Sequence, residues 1–127
     1  MDKIVIIDHN TSLGFRMKMA LHDEKREIIF CESGFDGMEV IKSNKPDLII
    51  MEILLSGKDG FEIFHETKKI LPEMKIIAMI SGGLKNAEYY LDAMKLLGVD
   101  LTIKKPFRDL YLQSAVDTLL NKSQSFN

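Results

Sequence analysis

Three stretches of this chain are short, unbroken runs of apolar and mostly β-branched residues: Ile4-Val5-Ile6-Ile7, Leu48-Ile49-Ile50-Met51 and Ile76-Ile77-Ala78-Met79-Ile80. A strand with one wet face alternates polar and apolar side chains, so an uninterrupted run means a strand covered on both faces, as in a parallel sheet. Parallel neighbours cannot be joined by a tight turn; each pair needs a crossover, normally a helix. Two weaker strand-like segments, at 27–31 and 101–104, bring the number to five. Helical periodicity fills the gaps. Leu13, Met17 and Leu21 fall on one helical face, with Asn10, Thr11 or Ser12 before them as N-cap. Further helices are expected at 35–43, at 60–71 before Pro72, at 86–97 with Gly98 as the stop, and at 108–121 after Pro106. Strict alternation of strand and helix predicts right-handed βαβ units and a doubly wound α/β sandwich, a parallel sheet with helices on both faces.

The 127 residues suit one domain, expected over 1–121, with Lys122-Ser123-Gln124-Ser125-Phe126-Asn127 as a loose tail. Lys and Arg number 17 against 19 Asp and Glu, a net charge of -2 that gives no footprint for a nucleic-acid backbone or an anionic membrane. There is neither an apolar run of about 18 residues nor a signal-peptide core, so the expected location is cytoplasmic. The single cysteine, Cys31, excludes an internal disulfide and a Cys-rich zinc site and reads as a small buried hydrophobe.

In a doubly wound sheet the ligand crevice lies at the carboxyl ends of the strands. Here those ends carry Asp8-His9-Asn10, Glu52, Ser81-Gly82-Gly83 and Lys104-Lys105-Pro106-Phe107. Carboxylates can hold a hard cation or act as nucleophiles, a hydroxyl and a lysine can take phosphate oxygens, and two glycines free nearby amides. Any one of these residues alone reads as a solvated loop start; four together at one sheet edge point to an anion or phosphoryl group.

The order of these residues resembles the receiver domain of two-component response regulators. The features that carry the resemblance are Asp8 after an apolar strand, Pro46-Asp47-Leu48-Ile49-Ile50-Met51-Glu52, Gly57-Lys58-Asp59-Gly60, Ser81, and Gly98-Val99-Asp100 leading to Lys105-Pro106-Phe107. It spans about residues 3–120 and implies a flavodoxin-like, five-stranded sheet in the order 2-1-3-4-5 and a cis Lys105-Pro106 bond. It assigns Asp8 to the acidic pocket, Ser81 to the hydroxyl switch position and Lys105 to the phosphate-contacting lysine.

Three positions depart from the family. His9 stands where a second acid is usual, Glu52 where the phospho-acceptor aspartate is usual, and Thr102 where an aromatic switch residue is usual. Glutamate carries its carboxylate about 1.5 Å further out, and a misplacement of ~1 Å can cost ~10²-fold in an in-line transfer. Glu52 therefore either imitates a phosphoaspartate in part or simply pairs with Lys105. Magnesium prefers an all-oxygen octahedron, so any binding at Asp8 and Glu52 should be weak, and no cofactor is required. A transition metal on His9, Asp8 and Glu52 stands beside the plainer reading of His9 as a solvated loop histidine; His22 and His65 carry no signal. Thr102 lacks the ring whose rotation reports phosphorylation in the family.

Helix 86–97 is expected to turn Leu91, Met94 and Leu97 to the core, leaving Tyr89, Ala93 and Leu96, with Tyr90 adjoining, as an interface stripe. Phe15 and Met19 form a similar pair on the first helix, either an interface or part of a wide apolar arc against the sheet. The expected function is a stand-alone receiver-like module, not an enzyme, whose output comes from a protein partner: a histidine kinase, a phosphotransfer or effector protein, or a second copy in a homodimer. Two other readings are a receiver with weak phosphoryl acceptance and a flavin-binding or metal-dependent phosphatase-like protein using the same crevice. No phosphate-cradling glycine loop follows the first strand, which disfavours the last.

Overall fold

The computed structural model describes residues 1–120; the expected tail at 122–127 and the domain end at 121 lie outside the described residues. Strand and helix alternate as β1 (Asp2–Ile7), α1 (Thr11–Leu21), β2 (Arg26–Cys31), α2 (Gly34–Asn44), β3 (Leu48–Glu52), α3 (Gly60–Ile70), β4 (Lys75–Ser81), α4 (Ala87–Leu97), β5 (Leu101–Lys105) and α5 (Asp109–Leu120). The sheet order is β2-β1-β3-β4-β5 and every pairing is parallel. Boundaries differ from the sequence expectation by one or two residues.

The three continuous apolar runs are the three central strands, and all their side chains are buried. Strand alternation sends Val5, Ile7, Ile49, Met51, Ala78 and Ile80 to the layer shared with α2, α3 and α4. Ile4, Ile6, Leu48, Ile50, Ile77 and Met79 go to the opposite layer, under α1 and α5. Two cores on one sheet are what a strand hydrophobic on both faces requires. The edge strand β2 is only half-buried, which accounts for its weaker signal.

Helix starts follow local chemistry. Asn10 caps α1 by accepting from the Leu13 N–H at 3.0 Å, Ser33 caps α2 through the Asp36 N–H at 3.1 Å, and Asp59 with Glu62 forms a reciprocal capping box on α3. Helix α4 stops at Gly98, whose φ of 108° is costly for any other residue.

Two expectations about helix faces fail. Leu97 is 50% exposed rather than core-facing. The buried stripe of α4 is Ala87, Leu91 and Met94, and its next position is Gly98; Leu97 lies roughly 100° round the helix from that line. Val99, just past the helix, is the residue that is buried. Phe15 and Met19 are 67% and 64% exposed, so they do not form an apolar arc against the sheet. Gly14 and Met17 provide the close contact of α1 instead, because a Cβ at position 14 would sit 2.1 Å from the Phe30 ring.

The first turn of α2 abuts the loop after β3. A Cβ on Gly34 would lie 1.8 Å from the Lys58 carbonyl oxygen, a backbone atom that cannot rotate away. Gly34→Ala should therefore destabilise the fold by about 1–3 kcal/mol through overpacking. Gly83→Ala, where the nearest atom is the Ser81 Oγ at 4.0 Å, should stay within about 0.5 kcal/mol of the parent. Urea denaturation of the two variants checks this.

Candidate functional site

Because all five strands run the same way, the residues that end β1, β3, β4 and β5 meet at one edge of the sheet. Asp8 follows β1 and is fully buried. Its N–H donates to the Cys31 carbonyl at 3.1 Å, and its Oδ1 accepts the Asn10 N–H at 2.9 Å, so the carboxylate is fixed by the same turn that starts α1. Glu52, the last residue of β3, is 4% exposed. Lys105, the last residue of β5, extends its ammonium across the sheet end and donates to Asp8 Oδ2 at 2.6 Å and to Glu52 Oε1. The Lys105-Pro106 bond is cis, as expected.

Ser81 pairs in register with Lys105, and the Gly82 N–H donates to the Lys105 carbonyl at 2.8 Å, tying the ends of β4 and β5 together. Ser81 is exposed on the rim. A cavity of about 660 Å³ opens over this edge, lined by His9, Glu52, Ser81 and Lys105 on its polar side and by Leu54 and Leu84 among its apolar residues. His9 projects from the rim with its side chain 65% exposed and its Nδ1 3.7 Å from Asp8 Oδ1, a solvated loop histidine beside the carboxylates. Asp8, His9, Glu52, Ser81 and Lys105 are thus brought together as the strand-end reading expects.

Thr102 is not part of this cavity. It lies half-buried in β5 and lines a second cavity of about 680 Å³ between α4 and α5, with Lys95, Lys104, Arg108, Leu110 and Tyr111. Of the residues expected on the α4 stripe, Tyr89 and Leu96 are exposed. Ala93 is half-buried, and Tyr90 packs against the core, with its ring centroid 6.4 Å from that of Phe61. Its neighbours on the helix surface, three residues before and four after, are the buried Ala87 and Met94, so Tyr90 sits beside the core-facing stripe. Cys31 is buried and burial, with Asp36 nearby, pushes its thiol up, in keeping with an inert hydrophobe.

One contributor has no signature in the sequence. Arg16 of α1 donates to the Phe107 carbonyl at 2.6 Å and to Asp109 at 3.0 Å, and its guanidinium lies 5.7 Å from the Phe107 ring centroid. It fastens α1 to the segment after β5 and so closes one wall of the cavity. An arginine at an exposed helix position gives no hint of a partner more than ninety residues away.

Two carboxylates and one ammonium leave the buried cluster with a formal charge of -1. Burial alone would push the Lys105 ammonium down, but the hydrogen bonds and charges of Asp8 and Glu52 outweigh it and hold the group above the ordinary lysine value of 10.5. A lysine raised in the folded state stabilises fully below its ordinary value, and that contribution is lost as pH climbs through the raised one. Lys105→Met, which leaves two buried carboxylates without their cation, should cost about 3–5 kcal/mol near neutrality. The difference between parent and variant should hold steady up to the ordinary lysine value of 10.5 and shrink above it, as read by chemical denaturation across pH.

The sequence matches the response regulator receiver domain family over residues 4–117. Among solved structures it is similar to a response regulator receiver domain protein from Clostridium thermocellum, at 25% identity over 98% of each chain with a TM-score of 0.84. A CheY-like receiver domain protein from Methanospirillum hungatei is similar at 21% identity over 100% of this chain and 99% of that one, also at a TM-score of 0.84. NtrX from Brucella abortus, crystallised in complex with ADP, is similar at 25% identity over 98% of this chain and 28% of its own, with a TM-score of 0.84. With the sheet order, the convergent strand ends and a sequence match covering most of its length, the chain belongs to the response regulator receiver domain family, the signalling modules of two-component systems.

Proposed function

We propose that this receiver domain signals through protein contacts with its pocket held in one state, without normal aspartyl phosphorylation. The observation that carries this reading is the position of Lys105. The lysine that the family resemblance assigns to phosphate is already engaged by both buried carboxylates, Asp8 and Glu52. Glu52 stands at the acceptor position, and its longer side chain delivers the carboxylate straight to the ammonium.

The family implies magnesium, and the donor set here does not fit it. A magnesium ion keeps an octahedron of oxygens; of the three side chains that could serve, one is the imidazole of His9, and both carboxylates already accept from Lys105. The coupling from pocket to surface is altered as well. Position 102 carries threonine and so contributes no ring to the cavity between α4 and α5, whose walls carry Lys95, Lys104, Arg108, Leu110 and Tyr111. Exposed Tyr89 and Leu96 on α4 and Leu110 and Tyr111 on α5 supply the large side chains that anchor protein interfaces. The contact is independent of the pocket's occupancy by phosphate.

Incubation of the protein with acetyl phosphate and magnesium should leave its intact mass unchanged. Glu52→Asp combined with His9→Asp restores the acceptor geometry and the second acid. That variant should take up one phosphoryl group at a rate about 10²-fold or more above the parent. Stoichiometric phosphorylation of the parent at Glu52 would overturn the reading in favour of an ordinary, weakly accepting phosphorelay receiver.

A further inference from the structure

Three residues of α5 fall four apart, Asp109, Gln113 and Asp117, and each is tied to the α1 side of the fold. Arg16 donates from Nε to Asp109 Oδ1 at 3.0 Å, Gln113 donates to the Ala20 carbonyl at 2.8 Å, and Arg26 of β2 donates to Asp117 Oδ1 at 2.6 Å. Residues four apart share one helix face, so the three contacts form a ladder along one edge of α5. The rungs are not equivalent. Only the Arg16 rung also grips the segment that leads into the helix: its Nη2 donates to the Phe107 carbonyl at 2.6 Å, and its guanidinium lies 5.7 Å from the Phe107 ring centroid.

That segment needs a hold from outside. The Arg108 carbonyl accepts the first helical N–H groups of α5, from Tyr111 at 3.0 Å and from Leu112 at 3.2 Å, which makes Arg108 the N-cap. A guanidinium has no acceptor atom, so α5 starts without the side-chain cap that Asn10, Ser33 and Asp59 give to α1, α2 and α3. Just before it, Pro106 and Phe107 line both cavities, the one over the strand ends and the groove between α4 and α5. One short stretch is therefore the wall common to both. Its near end is fixed by Lys105, through the buried carboxylates and the Gly82 N–H, and its far end by Arg16.

We propose that Arg16 is a latch: a positioning residue that holds the Pro106-Phe107-Arg108 wall, so that the shape of the groove between α4 and α5 is set from α1 and not from position 102. Thr102 lines the same groove and contributes no ring to it. The side chains of Arg16 and Asp109 are 47% and 52% exposed, so this rung opens with little apolar surface to uncover, while Gln113 and Asp117 keep the rest of α5 docked. Release frees the wall and the first turn of α5 and leaves the sheet intact. The latch deepens the proposal that surface contacts are independent of phosphate, and it rests on that reading for the use of the groove.

The test is amide hydrogen exchange on the whole chain, read residue by residue by NMR at constant pH. Arg16→Ala should speed exchange of the Tyr111 and Leu112 N–H groups by about 5-fold or more, the scale of a charge-assisted hydrogen bond at a half-exposed site. The Ile53 N–H, which donates to the Met79 carbonyl within the buried sheet, should change by about 2-fold or less. Arg16→Lys keeps the charge without the fork that spans two acceptors, and should recover only part of the parent's protection. Thr102→Ala should leave Tyr111 and Leu112 within about 2-fold of the parent. Equal acceleration at Ile53, no acceleration at Tyr111 and Leu112, full recovery by lysine, or the same acceleration from Thr102→Ala would each overturn the latch. The exchange pattern can fail with the acetyl phosphate result intact, and the reverse holds too, so the two readings fail separately.

Discussion

Two carboxylates buried at neighbouring strand ends repel one another, and this fold tolerates them because a single ammonium touches both. Asp8 and Glu52 are almost wholly shielded from water, where an unpaired charge is costly. Lys105 compensates from the far side of β4, bringing its charge across the sheet end to each of them. The remaining polar groups are matched to that arrangement. The Asn10 N–H, the Cys31 carbonyl and the Gly82 N–H lock the loops that carry Asp8 and Lys105, and among the described residues no buried side-chain nitrogen or oxygen lacks a partner.

The triad depends on the sheet. Parallel pairing places every strand end on the same edge, and the order β2-β1-β3-β4-β5 puts Asp8 and Glu52 on adjacent strands with Lys105 two strands from Glu52. Much of this is legible before any coordinates. The continuous apolar runs demand burial on both faces, which demands parallel strands and crossover helices, and those bring the polar strand-end residues together. What is not legible depends on contacts between distant segments. Nothing in the spacing of Arg16 points to Phe107 or Asp109, and the partners of Lys105, 97 and 53 residues away, follow from register rather than from local pattern. Leu97 and Tyr90 are misassigned for a related reason. A hydrophobic stripe read from spacing alone has several rotational settings, and the sheet selects the one that passes through Ala87, Leu91 and Met94.

The three departures from the family pattern lie at different depths. Glu52 sits in the buried triad, where it accepts from Lys105. His9 sits at the rim, exposed beside Asp8. Thr102 lies outside the pocket and lines the groove between α4 and α5, whose walls carry Lys95, Lys104, Arg108 and the exposed Leu110 and Tyr111.

A pocket held in one state requires Lys105 to be energetically coupled to the carboxylate at position 52. A double-mutant cycle with Glu52→Gln, Lys105→Met and the pair, measured by chemical denaturation at neutral pH, reads that coupling directly. Groups in one buried ion-pair network couple by about 0.5–3 kcal/mol, and we expect a value in the upper half of that range. Losses that add to within about 0.3–0.5 kcal/mol, as for independent sites, would mean that Lys105 does not hold the pocket.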